Sequence, residues 1–270
     1  MKKLLFSVVA SLSLAFVHAQ ADDAYSKYRE NGSYYIYTDT ANVYTQPDFN
    51  SEVIRQYFIG DSVSLFHVGE NLTKDYKTAP WCEVVFKAGN AMKKGYMWTG
   101  YLSPLKLSEG NVRFVYSLDL KKGGTEPLFT LKAVKEHNIV STTTYIMHNV
   151  EATQRAHDAK IKKPRGLSEF KKMLYFDYSG EACAVPEYQI YVGWDGEKLS
   201  PLPLLTFVSD AGAGYYTEKY IFPLDKKGRP GMIILATESG EENEAGKIVN
   251  MKRKATNYKV TQKHDIEKTK

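Results

Sequence analysis

Apolar and polar residues alternate in short runs along most of this chain, and the runs are broken by turn residues. In Trp81-Cys82-Glu83-Val84-Val85-Phe86 the alternation places Cys82, Val84 and Phe86 on one face of a strand. Ser62-Val63-Ser64-Leu65-Phe66 alternates in the same way after a tight Gly60-Asp61 turn. Polar stretches at Gly69–Pro80 and Lys87–Lys94 read as loops, and Ser108-Glu109-Gly110 reads as a linker. Beyond Asn111 the strand pattern continues. Candidate strands are Val112–Leu118, Leu128–Val134, Ile139–Met147, Met173–Phe176, Tyr188–Val192, Leu204–Val208, Tyr215–Phe222 and Met232–Ala236. Glu151–Lys163 differs: it carries three alanines, few β-branched residues and a terminating Pro164, so it is expected to be a short helix or an insertion loop. The expected fold class is all-β, in two successive units.

The ends of the chain are different in kind. Lys2 and Lys3 precede an apolar run from Leu4 to Val17, and Val17-His18-Ala19 ends in a small residue. A run of about fourteen residues is too short to cross ~30 Å of hydrocarbon as a helix, so residues 1–19 read as a cleaved signal peptide and the protein as exported, periplasmic or extracellular. No Cys follows the cleavage site, and no later segment is apolar enough for a membrane span. Ala21–Ser33 reads as a polar lead-in. The net charge of +5 falls to +3 once Lys2 and Lys3 are removed. Residues 251–270 hold seven basic and two acidic side chains, so the basic character belongs to a C-terminal tail and the remainder is slightly acidic. Such a tail is either a frayed, solvated terminus or a weak attachment to anionic envelope polymers.

The stretch from Tyr34 to Leu107 carries five landmarks in order: Asn42-Val43, Ile59-Gly60-Asp61, Trp81, Gly95-Tyr96 and Tyr101-Leu102. In this order and spacing it resembles the bacterial SH3-like domain, with Tyr96 standing where that family usually has Trp. The resemblance implies a small barrel over residues 34–107 that binds an extended ligand without chemistry of its own. Exposed rings supply contact area at low entropic cost, so the ligand-binding candidates are Tyr44, Trp81, Trp98 and Tyr101. Trp81 and Tyr96 are favoured for the core of so small a barrel. Tyr44 and Trp98 suit groove and core equally.

Residues 111–250 form the second β-rich unit. Asp119…Gly123, Asp177…Gly180 and Asp225…Gly228 are Asp/Gly turns spaced 58 and 48 residues apart. They are loosely similar to the turns of FG-GAP-type β repeats, yet too few for a closed propeller. A β-sandwich or partial propeller is the expected container.

Little points to catalysis. Cys183 lies in a Gly/Ala/Pro context with no helix behind it, and a Cys183–His148 pair has no sequence support beyond composition. A buried Cys82 thiol is expected in preference to a disulfide with Cys183, although an oxidising compartment permits one. Glu238, Glu241, Glu242 and Glu244 read as a solvated loop. No phosphate loop, zinc motif or basic-aromatic nucleic-acid face is present in the sequence. The expectation is thus a non-catalytic envelope binding protein with no cofactor or metal, recognising a peptidoglycan peptide, a glycan or an envelope protein. The rival readings are a structural role with the groove filled, or a wall hydrolase acting through the second unit.

Overall fold

The computed structural model describes residues 28–75, 77–120, 127–148, 155–179 and 184–269. The signal-like residues 1–19 and Cys183 lie outside them. The described chain is all-β, with a single 3-10 turn at Thr99–Tyr101. No helix among the described residues is long and apolar enough to cross a membrane.

Six strands form the first sheet: β1 (Ser33–Tyr35), β2 (Thr40–Tyr44), β3 (Val53–Phe58), β4 (Ser62–Lys74), β5 (Lys77–Ala88) and β6 (Ala91–Trp98). Their order is β1-β4-β5-β6-β2-β3, and the sheet curls on itself. Its inner face is Ile36, Val43, Leu65, Cys82, Val84, Phe86, Met97 and Leu102, all buried. The predicted alternation of Cys82, Val84 and Phe86 is thus realised. Gly95 lies where β6 crosses β2 and β3; a Cβ there would meet Val43 at 2.5 Å and Ile54 at 2.8 Å. Tyr28, expected in a loose lead-in, is buried and donates from its hydroxyl to the Leu102 carbonyl at 3.0 Å.

Two expected loops are strands instead. Gly69–Pro80 is the far end of a long β4–β5 hairpin, closed near Lys74↔Lys77. Lys87–Lys94 contains only a tight turn at Gly89-Asn90 between β5 and β6. Most side chains at both tips face water, so the alternation that marks a half-buried strand is missing there.

Four strands make the second sheet: β7 (Leu107–Glu109), β8 (Val112–Leu120), β9 (Pro127–Lys135) and β10 (Asn138–Ile146), in the order β10-β9-β8-β7. The expected linker 108–110 is therefore β7 and its turn at Gly110. This sheet is covered on both faces. Phe114, Tyr116, Phe129 and Leu131 pack against Leu174, Phe176, Tyr178, Ile190 and Val192 of the third sheet. On the opposite face Val115 and Val134 pack against Tyr35, Tyr37 and Ile59 of the first sheet. Polar groups tie the same seam: Lys77 Nζ reaches Asp119 at 2.8 Å and Ser117 Oγ at 2.7 Å, and the Tyr116 N–H donates to Ser103 Oγ at 3.1 Å.

The third sheet holds β11 (Arg155–Lys162), β12 (Lys172–Ser179), β13 (Glu187–Trp194), β14 (Leu199–Pro201), β15 (Leu205–Asp210), β16 (Gly214–Ile221), β17 (Ile233–Glu242), β18 (Ile248–Val260) and β19 (Ile266–Lys268). It runs from β11 to β19 in sequence order, with β14 beside β13. All eight strands anticipated beyond Asn111 are present. Residues 155–162, expected as helix or insertion, are instead the edge strand β11. There Ala159 and Ile161 turn to the core, while Lys162 Nζ lies 3.2 Å from the Tyr175 ring centroid. The Asp225 turn behaves as expected: its carboxylate accepts the Phe222 N–H at 2.9 Å and its carbonyl the Gly228 N–H at 2.8 Å. The face of this sheet away from the second sheet has its own core of Met173, Tyr191, Leu205, Tyr220, Phe222 and Ile233. The residues read as a basic tail are part of this sheet, since β18 and β19 occupy most of 251–268.

Candidate functional site

Two surfaces bear on function. The first is the aromatic set anticipated from sequence. Trp81 and Trp98 face each other across β5 and β6, and Tyr44 of β2 pairs with Tyr96. The four candidates do come together: Tyr44 and Trp81 centroids are 5.6 Å apart, Trp98 and Tyr101 5.4 Å. They do not form an open groove. Tyr44, Trp81 and Trp98 are only 5, 5 and 4% exposed, and Tyr101 is half-buried.

The cover is local. Phe49, from the loop between β2 and β3, places its ring 4.7 Å from Trp81, 5.8 Å from Trp98 and 5.9 Å from Tyr44. Lys74, at the end of β4, sits 3.8 Å over the Phe49 ring, within cation–π range. The loop is held by the Ser51 hydroxyl, which lies within bonding distance of the Gln46 and Asp48 carbonyls. The Trp98 indole N–H donates to the Ala79 carbonyl at 2.9 Å. The Trp98 ring folds back over Gly100, where a Cβ would lie 2.2 Å away. Burial, then the neighbouring Tyr44, push the Tyr101 phenol well above its ordinary value. Polar and aromatic capacity in this set is used internally.

The second surface was not anticipated. On the face of β16–β18 opposite the Met173–Tyr220 core lies a concavity of about 620 Å³, lined by Thr217, Lys219, Ile221, Lys227, Ala236, Glu238, Arg253, Lys254 and Ala255 among others. The register explains it: Thr217, Glu238 and Arg253 lie in one row across the three strands, and Lys219, Ala236 and Ala255 in the next. Small alanines floor the hollow, and longer cationic chains rim it.

Its charges are unequal. Glu238 accepts from the Tyr215 hydroxyl at 2.7 Å and from Arg253 Nε at 2.6 Å, and these bonds hold its carboxyl below the ordinary value. Arg253 is thereby matched. Lys219 and Lys227 make no ion pair among the described residues, and neither does Lys254, whose side chain lies on the other face of β18. Beside this hollow a smaller one of about 330 Å³ includes Tyr215, Tyr216, Gly240, Asn250 and Lys252 in its lining.

A hairpin signal in the sequence could have exposed this surface. An acidic run, Glu238–Glu244, is followed by Gly246 and then by Lys252-Arg253-Lys254, so folding at the turn pairs opposite charges. Asn243 Oδ1 accepts the Ala245 and Lys247 N–H groups and closes that turn, with Gly246 at φ 71°. The acidic residues read as a loop are thus largely strand β17.

No group of three or more His, Cys, Asp or Glu side chains is placed to hold a metal ion among the described residues. Cys82 is a buried free thiol. No family model, curated protein or solved structure matches this chain.

Proposed function

We propose that this is a non-catalytic binding protein of a bacterial envelope, and that it holds a carboxylate-bearing ligand, such as a wall peptide or an acidic segment of an envelope protein, on the concave basic face of β16–β18. The observation that carries this reading is a hollow holding two unmatched cations, Lys219 and Lys227, whose one lining carboxylate, Glu238, is already occupied by Arg253. Concavity concentrates their field, and an anion placed there meets two unpaired ammonium groups beside the paired Arg253. Export is inferred from the apolar leader at residues 1–19.

The test is retention of the mature protein on purified peptidoglycan at rising salt. Wild-type protein is expected to bind at low salt and to release as the Debye length shrinks to about 3 Å near 1 M. A Lys219→Glu/Lys227→Glu variant, melting like wild type, is expected not to be retained. Retention of that variant equal to wild type overturns the assignment.

A structural role for the SH3-like N-terminal unit is favoured by a separate observation. Its aromatic set is filled by Phe49, and Tyr35, Tyr37 and Ile59 are packed against the second sheet. In this reading the unit braces the second sheet, on whose other face the binding sheet packs. Ligand added at saturation then leaves the emission of Trp81 and Trp98 unchanged; a ligand-induced shift would return recognition to the aromatic set.

A further inference from the structure

Strand β18 is bordered unequally. On one side β17 pairs with it from Ile248 to Tyr258. On the other side β19 pairs only with Tyr258–Val260, and the Thr269 N–H extends that contact by one bond, 2.9 Å to the Asn257 carbonyl. Upstream, Met251–Thr256 has no strand on that side among the described residues. Backbone groups point to alternate sides of a strand with period two. Since Asn257 directs its carbonyl to the β19 side, Ala255 and Arg253 direct their N–H and C=O groups there too. The regular stretch begins after Asn250, where φ is 52° and the register with β17 shifts. Six residues remain, spanning about 20 Å.

An edge of this length is a template for another strand unless something repels it. Its own charge decides which strand. Lys252 and Lys254 flank the edge on one face and Arg253 on the other. A second copy pairing antiparallel about Arg253 would set Arg253 opposite Arg253 and Lys252 opposite Lys254, and like charges directly opposite destabilise a pair. A strand bearing carboxylates opposite Lys252 and Lys254 is stabilised by those two lysines. Met251, 48% exposed at the start of the stretch, offers contact to one apolar residue.

We infer that the ligand of the basic face is an extended acidic peptide that adds to the free edge of β18 as a further strand. The main chain supplies hydrogen bonds to Arg253 and Ala255, and the unpaired Lys252 and Lys254 select acidic side chains. This deepens the proposed function and rests on it.

The experiment uses fluorescence anisotropy of the mature protein with a capped, labelled heptapeptide of alternating Glu and Thr. Two further versions carry N-methyl groups on one or the other alternate set of residues, which preserves charge and removes the donors along one edge. Expected is binding of the unmodified peptide and at least tenfold weaker binding of one methylated version. Ala255→Pro removes the outward N–H at an edge position where proline is tolerated; it is expected to weaken the unmodified peptide at least tenfold with an unchanged melt. Equal binding of all three peptides overturns strand addition while leaving the basic face as a charge-driven site. Absence of peptide binding alongside lysine-dependent retention on peptidoglycan also overturns strand addition alone. Absence of both overturns the inference together with the proposed function.

Discussion

Replacing Phe49 with alanine tests whether one loop residue keeps the aromatic set closed. Truncating a fully buried Phe costs about 3–5 kcal/mol. Phe49 is half-buried, so about half of that is at stake. Its contacts with Trp81, Trp98 and Tyr44, and the Lys74 ammonium 3.8 Å from its centroid, place the loss at the upper part of the range. A loss of about 2–3 kcal/mol follows, or about 5–10 °C in melting temperature for a chain of this size. Fluorescence gives an independent readout, because two of the three tryptophans lie beneath Phe49 and the third, Trp194, is 2% exposed in a different core. Phe49→Ala is expected to shift emission to the red and to raise acrylamide quenching of about two-thirds of the signal, whereas Phe49→Leu is expected to do little of either. A Phe49→Ala protein with wild-type quenching and a melt within 1 °C would refute the view that Phe49 is the cover.

Three further outcomes follow from the structure. Lys77→Ala is expected to cost about 1–2 kcal/mol in a urea titration, because the Asp119 carboxylate and Ser117 hydroxyl at the seam lose their shared partner; an unchanged midpoint counts against that joint. Burial alone would raise the Asp195 carboxyl, but hydrogen bonds from His264 and the Lys198 and Glu197 amides outweigh it and hold it below its ordinary value. A depressed carboxyl stabilises the fold above its ordinary value and loses that contribution as pH falls through the lowered one, so Asp195→Asn should melt lower than wild type near neutral pH, and the gap should close as pH falls below the ordinary carboxylate range. Cys82 is 1% exposed and burial pushes its thiol up to about 12; in a Cys183→Ser background its reaction with a disulfide reagent should track global unfolding, and rapid labelling of the native protein would contradict its burial.

Legibility followed the number of wet faces. Strands with one dry face, such as Cys82-Glu83-Val84-Val85-Phe86, show the period of two and were readable. The β4–β5 tip and the β17–β18 hairpin have little or no dry face, so Glu, Lys and Asn fill both sides and the residues resemble loop or tail. Strand β11 was missed for a related reason: alternation survives at Ala159 and Ile161, but weak β formers and adjacent lysines mask it. The aromatic candidates were readable as a group, since register follows from spacing. Their closure was not, because it depends on Phe49, a residue inside a Pro/Asp turn whose direction no periodicity encodes. The tail's charge was plain from composition; the placement of Arg253 opposite Glu238 needed the hairpin.

The second sheet is dry on both faces, and this governs how the molecule can come apart. A sheet of four strands between two others has no stable form with either neighbour missing: losing the first exposes Val115 and Val134, and losing the third exposes Phe114, Tyr116, Phe129 and Leu131. The chain is therefore expected to unfold as one cooperative unit, with a single steep transition. Its slowest folding step is expected to be closure of the middle layer, where distant parts of the sequence must meet.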